Sequence, residues 1–106
     1  MSLRTERVSE LVKKLAAEFL SREADKSSII TVTRANISDD LKNATIFFSV
    51  YPEASEDAAL NFAKRKRSEL KKHVKSKLRM KRIPFFDFEI DYGEKNRQRI
   101  DELSNK

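Results

Sequence analysis

The sequence contains no cysteine and only one glycine, Gly93, in 106 residues. Without cysteine the protein has neither a disulfide nor a thiolate metal site. Loops that cradle phosphates need several glycines, because the backbone must approach the phosphate closely. The sequence therefore excludes a P-loop, a dinucleotide-binding fingerprint and the GXXG clamp that holds nucleotides in some RNA-binding domains.

Long apolar runs are also absent. No segment approaches the roughly 20 apolar residues of a membrane span, and the amino-terminal stretch MSLRTERVSE lacks a signal-peptide core. Similar shares of hydrophobic (39%) and charged (38%) residues are typical of a soluble, highly charged globular protein. We expect a cytoplasmic protein that folds as one domain over residues 1–106, a length sufficient for one modest core.

Side chains that carry chemistry are few. His73 is the only histidine, and a lone histidine forms neither a metal cluster nor a catalytic triad. Asp87, Glu89 and Asp91 share a face of a predicted strand, where three carboxylates could bind a divalent ion or act as paired acids. The commoner arrangement is the solvated face of an antiparallel edge strand, with the acids paired to Lys or Arg. We expect no enzymatic activity, no cofactor and no small-molecule substrate; a divalent-dependent nuclease is the enzymatic alternative.

Positive charge is the abundant feature, and it is local. Between Lys64 and Arg82 there are eleven Lys or Arg and one acid, Glu69, so this window carries +10 while the whole chain carries +6. The remaining residues therefore sum to −4. Concentrated basicity and a pI of about 9.7 indicate a polyanionic partner, with nucleic acid first and an anionic membrane surface second.

Hydrophobic periodicity predicts the element order α-β-β-α-α-β, followed by a short C-terminal helix. The predicted elements are a helix over 4–23, strands over 29–37 and 44–51, a helix from Ser55 that breaks near Lys66 to Ser68, a helix from about Ser68 to Leu78, a strand over 84–91 and a helix over 94–104. The first two strands are joined by a short polar turn and form an antiparallel hairpin. The apolar face of the first helix consists of Val8, Leu11, Val12, Leu15, Ala16, Phe19 and Leu20.

Two strands carry irregular patterns. In the first strand Ile30 and Val32 lie on one face, and Ile29 and Ile37 lie on the other. A bulge near Arg34-Ala35 would reconcile them. In the last strand the inward residues are Phe86, Phe88 and Ile90. Phe85 does not fit that alternation, which indicates an exposed or edge aromatic.

The third helix separates apolar from basic residues. Leu70, Val74 and Leu78 are four apart and point to the core. A different face carries Lys71, Lys72, Lys75 and Arg79, with Arg82 in line if the helix persists. Like charges at this spacing repel, and solvated faces usually mix in acids. The pattern therefore favours an anion-binding surface.

This element order is that of a type II KH domain, an α+β fold in which three helices pack on one face of a three-stranded sheet. In KH domains the junction between two of the helices carries GXXG, whose backbone clamps nucleotides. Here the junction holds Lys66-Arg67-Ser68. We therefore expect a type II KH-like domain without the standard clamp.

Several short segments, in a specific order along nearly the whole chain, carry a family resemblance. They are Arg7-Val8, Ile30-Thr31-Val32-Thr33 running to Ser38-Asp39-Asp40-Leu41, Ala44 to Val50 (ATIFFSV), Leu78 to Pro84 (LRMKRIP) leading to Phe86, Phe88 and Asp91, and Glu94, Arg99-Ile100 and Leu103. In these segments the chain resembles ribosome-binding factor A, a family of bacterial small-subunit assembly factors. That family replaces GXXG with an Ala-x-Gly kink. Aligned on Pro84, the kink falls at Lys66-Arg67-Ser68, where this sequence departs from the family.

The resemblance implies a non-enzymatic ribosome biogenesis factor. Such a factor binds the immature small ribosomal subunit and its rRNA, as a monomer and without a membrane partner, and supports late maturation and processing of that rRNA. Carried onto this sequence, the RNA contacts are expected at Arg4, Arg7, Lys64, Arg65, Lys66, Arg67, Lys71, Lys72, Lys75, Arg79, Lys81 and Arg82. The alternative is a general single-stranded RNA-binding KH-type module, against which the missing GXXG argues.

Overall fold

The computed structural model describes residues 3–24, 28–80 and 82–93, with residues 3–5 described by their backbone alone. Its elements are α1 (Leu3–Glu23), β1 (Ile29–Ile37), β2 (Asn43–Tyr51), a 3-10 turn (Glu53–Ser55), α2 (Glu56–Arg65), α3 (Arg67–Lys77) and β3 (Phe85–Ile90). This order confirms the predicted α-β-β-α-α-β arrangement. The helix predicted over 94–104 lies outside the described residues.

The amphipathic pattern of α1 is confirmed with one exception. Val12, Ala16 and Leu20 are fully buried, whereas Leu11 is exposed. At about 100° per residue, Leu11 falls at the edge of the apolar stripe rather than at its centre. The helix therefore presents a narrower face to the sheet than the sequence pattern indicated.

The hairpin of β1 and β2 is antiparallel and contains the expected bulge, one residue earlier than predicted. Val32 pairs with Phe48 and Arg34 pairs with Phe47, so the register shifts at Thr33. An extra residue in one strand reverses which alternate side chains face inward. As a result Val32, before the bulge, and Ile37, after it, both pack on the core.

A hydrogen-bonded turn joins the two strands. The Ser38 hydroxyl donates to Asp40 Oδ1 over 2.6 Å, and the backbone N–H of Lys42 donates to the same oxygen over 3.0 Å. These two donors lower the pKa of Asp40 below its usual value. Leu41 has a φ of 61° and packs its half-buried side chain against the core, which accounts for a bulky residue in a left-handed conformation.

The sheet order is β1-β2-β3, and β3 pairs with β2 in parallel, with Ala44 opposite Phe86 and Ile46 opposite Phe88. The expectation of an antiparallel edge strand was wrong. Because α2 and α3 return the chain to the end of the sheet where β2 began, β3 runs in the direction of β2. The acids of β3 still lie on an edge strand, but beside the crossover helices.

The core lies between one face of the sheet and the three helices. Its largest fully buried side chains include Phe48, Phe86, Phe88, Leu70 and Val74. The predicted inward alternation of β3 is therefore confirmed, as is the fold class. Within the described ranges, no helix is long and apolar enough to cross a membrane.

Candidate nucleic-acid interface

The basic run occupies the end of α2, all of α3 and the segment that leads into β3. Its exposed members are Lys64, Arg65, Lys71, Lys72, Lys75, Lys77, Arg79 and Arg82, whereas Lys66 and Arg67 are half-buried. Lys81 lies outside the described residues. The structure divides these cations into a helical face, a segment after the helix and a paired cluster at the helix junction.

The helical face, called here the α3 face, consists of Lys71, Lys72 and Lys75. All three side chains are exposed, and none takes part in an ion pair with another described residue. Leu70 and Val74 on the opposite side are both 0% exposed, which fixes the rotation of the helix. The predicted separation into an apolar and a basic side is confirmed, and the buried residues hold the basic side towards solvent.

Helix α3 ends too early for Arg79 and Arg82 to continue the α3 face. Leu78 is extended, with φ −116° and ψ 134°, so α3 stops at Lys77. Beyond it Ile83 and Pro84 are buried, and the chain must turn inward to place them there. Arg79 and Arg82 are exposed on this irregular segment, and the expectation that they continue the α3 face in helical register was wrong.

Lys77 is an exposed cation that the sequence reasoning left out. Seven residues after Leu70, it stands beside the inward-facing stripe of a continuous helix. Because α3 ends at Lys77, no further turn covers it and its side chain remains exposed. The basic character of the whole run was the feature of the sequence that could have placed Lys77 among the predicted RNA-binding residues.

The break between α2 and α3 is a kink at a single residue. Lys66 has φ −92° and ψ 8°, and its N–H is shared between the carbonyls of Phe62 and Ala63, each 3.1 Å away. This backbone conformation is open to any residue and needs no glycine. The predicted break is confirmed, but α3 begins at Arg67 rather than at Ser68. A kink thus forms at this position without a glycine.

Side chains at this kink are engaged with acids, and we call them the junction cluster: Lys64, Lys66 and Arg67 with Glu69, Asp87 and Phe85. Arg67 donates from Nη2 to Asp87 Oδ1 over 3.0 Å, and Lys64 Nζ lies 3.9 Å from the same oxygen. Lys66 pairs with Glu69 at 3.3 Å. These three cations are therefore partly neutralised within the protein, unlike those of the α3 face.

Arg67 also packs on an aromatic ring. Its guanidinium carbon lies 4.7 Å from the centroid of Phe85, and its Nε–H is buried without an acceptor among the described residues. Phe85 is 54% exposed, as its position outside the strand alternation indicated. The sequence did not reveal that Arg67 would cover it.

Helix α1, whose first turns carry Arg4 and Arg7, packs against α3. The contact between α1 and α3 includes the rings of Phe19 and His73, whose centroids are 5.8 Å apart. Arg7 is exposed and lies twelve residues before Phe19, about 18 Å along the helix axis. The side chain of Arg4 lies outside the described residues. The structure thus places Arg7 on the exposed surface of α1, while His73 packs against Phe19.

Two of the three strand acids are held by cations. Asp87 takes the two pairs of the junction cluster, and Asp91 accepts a hydrogen bond from the Thr33 hydroxyl over 2.5 Å and pairs with Arg34 at 4.0 Å. In the part of the chain that the structure describes, no three His, Cys, Asp or Glu side chains are placed to hold a metal ion. The predicted pairing of these acids with Lys or Arg is confirmed for Asp87 and Asp91.

Comparison with known proteins gives a consistent family. The sequence profile of ribosome-binding factor A matches residues 4–104. A protein of that name from Opitutus terrae is 31% identical over 102 residues, covering 94% of this chain and 84% of the relative. One from Magnetococcus marinus is 28% identical over 109 residues, covering 99% and 89%.

Solved structures agree on the fold. The crystal structure of ribosome-binding factor A from Thermus thermophilus superposes with a TM-score of 0.73 at 22% identity, covering 81% of this chain and 94% of that one. A homology model of the Thermus thermophilus factor, fitted into a cryo-EM map of a 30S–RbfA complex, gives a TM-score of 0.68 at 23% identity, with coverages of 76% and 88%. These likenesses establish the same arrangement of helices and strands.

Proposed function

Since this chain belongs to the ribosome-binding factor A family, we propose that it is a non-enzymatic factor that binds the immature small ribosomal subunit through its ribosomal RNA. It acts in the cytoplasm as a monomer and supports late maturation and processing of that RNA. The relative fitted into a 30S complex supports the small subunit as the particle.

The α3 face is the observation that carries this proposal. It holds three exposed lysines within two helical turns, and none of them is paired to a described acid. Such like charges destabilise an isolated helix, which is a cost that binding a polyanion offsets. Lysine contacts to phosphates release counterions and carry no sequence information. The position of the rigid face on a folded RNA surface therefore supplies the specificity.

The remaining cations act in two ways. Arg79 and Arg82 extend the positive surface towards β3 on an irregular segment, where they can adapt to the RNA backbone. The junction cations contribute less to phosphate binding, because Asp87 and Glu69 already partner them. Arg7 reaches RNA only if the contact extends along α1.

The test removes the exposed basic surface. We expect Lys71→Ala, Lys72→Ala, Lys75→Ala and Arg79→Ala together to abolish co-sedimentation with small subunits. If each of the four side chains neutralises one phosphate, the log–log slope of affinity against salt falls by about three, at roughly 0.7–0.9 per phosphate. In cells that lack the natural protein, the wild-type chain restores mature small-subunit rRNA and the quadruple variant does not.

A matched control has the same change in charge at other exposed or half-exposed cations. Lys13→Ala, Lys14→Ala, Arg22→Ala and Lys42→Ala together leave the α3 face intact. This variant should keep co-sedimentation and most of the salt dependence. Normal binding by the first variant, with its circular dichroism unchanged, contradicts the role of the basic surface.

A further inference from the structure

Phe85 presents a fixed aromatic surface beside the basic run. It opens β3, the edge strand of the sheet, and is 54% exposed. The guanidinium of Arg67 covers one side of it at 4.7 Å, which holds the ring in place. An aromatic ring restrained on one side and open on another is a stacking platform for a flat ligand.

An open hydrogen-bond acceptor lies next to this ring. Asp87 is two residues further along β3 and so points to the same side of the strand. Its Oδ1 accepts from Arg67 and from the backbone N–H of Phe88, at 3.0 and 2.9 Å. None of the described hydrogen bonds uses Oδ2, and the side chain is 47% exposed. The carboxylate is therefore fixed by one oxygen and free to accept through the other.

The charge at this place differs from that of the α3 face. Lys64 and Arg67 share Asp87, and Lys66 pairs with Glu69, so the junction cluster carries three cations against two acids. A phosphate entering here would meet the Asp87 carboxylate. An uncharged flat group with an N–H donor meets no such repulsion and matches the ring and the free oxygen.

We propose that Phe85, Arg67 and Asp87 form a subsite for one unpaired nucleobase of the bound RNA. The base stacks on Phe85, and an N–H of its Watson–Crick edge donates to Asp87 Oδ2. Arg67 is a positioning residue that orients both the ring and the carboxylate. This subsite rests on the proposed function, because the α3 face supplies the RNA: Lys71 follows Arg67 by one helical turn, about 6 Å along the axis.

The decisive measurement uses Phe85→Trp. The chain contains no tryptophan, so this variant has a single indole, which can be excited apart from the tyrosines. Two probes with equal numbers of phosphates are titrated: an RNA hairpin with an unpaired loop and an uninterrupted RNA duplex. We expect the loop to quench the fluorescence at saturation and the duplex to leave it unchanged. Binding of the hairpin without quenching, or equal quenching by both probes, overturns the subsite.

Affinity provides an independent readout. Phe85→Ala should weaken binding of the loop hairpin by about five- to a hundredfold, the range for loss of one stacked base. The slope of affinity against salt should not change, because no phosphate contact is lost. Phe85→Tyr keeps the aromatic ring and should therefore bind the loop hairpin as the wild type does. The matched control is Tyr51→Ala, which removes another exposed aromatic outside the junction cluster and should have no effect.

The outcomes separate this inference from the proposed function. If Phe85→Ala weakens association with small subunits but not with the hairpin, the ring contacts a protein side chain, and the base subsite is wrong. If Phe85 variants bind both partners normally while the quadruple α3 variant does not, the subsite falls and the proposed function stands. If the wild-type protein binds neither, the proposed function itself fails.

Discussion

At the scale of single residues, Thr33 and Arg34 connect β1 to Asp91, which follows the end of β3. Thr33 is the bulge residue of β1, and its hydroxyl donates to Asp91, whose side chain is only 14% exposed. Arg34, which follows, lies over the ring of Phe47 at 4.1 Å and pairs with the same carboxylate. The bulge therefore aims two side chains of β1 at one acid.

Removing this hydroxyl tests the contact. Thr33→Val keeps the β-branched shape but takes a donor from a largely buried carboxylate, and we expect it to lower the free energy of unfolding by about 1–3 kcal/mol. Urea denaturation followed by circular dichroism measures the change. Thr31→Val makes the same replacement at an exposed position of the same strand. It should stay within about 0.5 kcal/mol of the wild type, and an equal loss at both positions would show that the Thr33 contact is not responsible.

At the scale of elements, α3 combines a conventional buried side with an unconventional exposed one. Leu70 and Val74 anchor it to the sheet, while Lys71 and Lys75 stand four apart on the outside. The kink at Lys66 lets α2 and α3 diverge without glycine. Stability and binding therefore make opposite demands on this helix.

Reversing one charge on the α3 face should change stability and binding in opposite directions. Lys71→Glu removes a repulsion with Lys75 and adds an attraction in the favourable order, so the free energy of unfolding should rise by about 0.4–1 kcal/mol. Association with small subunits should weaken at the same time. Chemical denaturation and co-sedimentation of one preparation give both values.

The control for this trade-off is Lys14→Glu on α1, an equal change in charge at an exposed site. Because Glu10 and Glu18 lie four residues to either side, this variant exchanges two attractions for two repulsions and should lose about 0.8–2 kcal/mol of stability while binding is unchanged. A loss of stability in Lys71→Glu, or unimpaired binding by it, would contradict the account of the α3 face.

At the scale of the whole molecule, the net charge of +6 hides a strong polarity, since residues 64–82 carry +10 and the others sum to −4. The helices cover one face of the sheet, and the basic run follows the crossover that connects β2 to β3. The surface is therefore a feature of one region mounted on a rigid core. Under the proposed function, this surface binds a folded particle in preference to a flexible strand.

This difference predicts a ranking of RNA ligands. An unstructured oligonucleotide should bind far more weakly than the small subunit at the same salt, in the non-specific range of about 10⁻⁴ to 10⁻⁶ M. The physical reason is the absence of a glycine clamp and the internal pairing of the junction cations. Parallel titrations of both ligands give the ranking. Oligonucleotide binding as tight as that of the subunit would favour a general single-stranded RNA-binding module.

Local patterns made much of the fold readable from the sequence. The helices follow from the 3.6-residue period of α1 and α3, and the strands from the alternation of β2 and β3. The break near Lys66 was predicted because the four consecutive cations Lys64 to Arg67 cannot share one solvated helical face. The inward stripe of α3 also determined which lysines face outward. These features depend on neighbours within one or two turns, so the sequence alone contains them.

Contacts between distant parts of the chain decided the rest. The parallel direction of β3, the end of α3 at Lys77 and the bulge at Thr33 rather than one residue later depend on how the sheet closes over the core. The division of the basic run into a free α3 face and a neutralised junction follows from Asp87, which is twenty residues from Arg67 in sequence and 3.0 Å from it in space. A charge in the sequence shows only that a cation is present, whereas its electrostatic effect depends on the partner that the fold brings beside it.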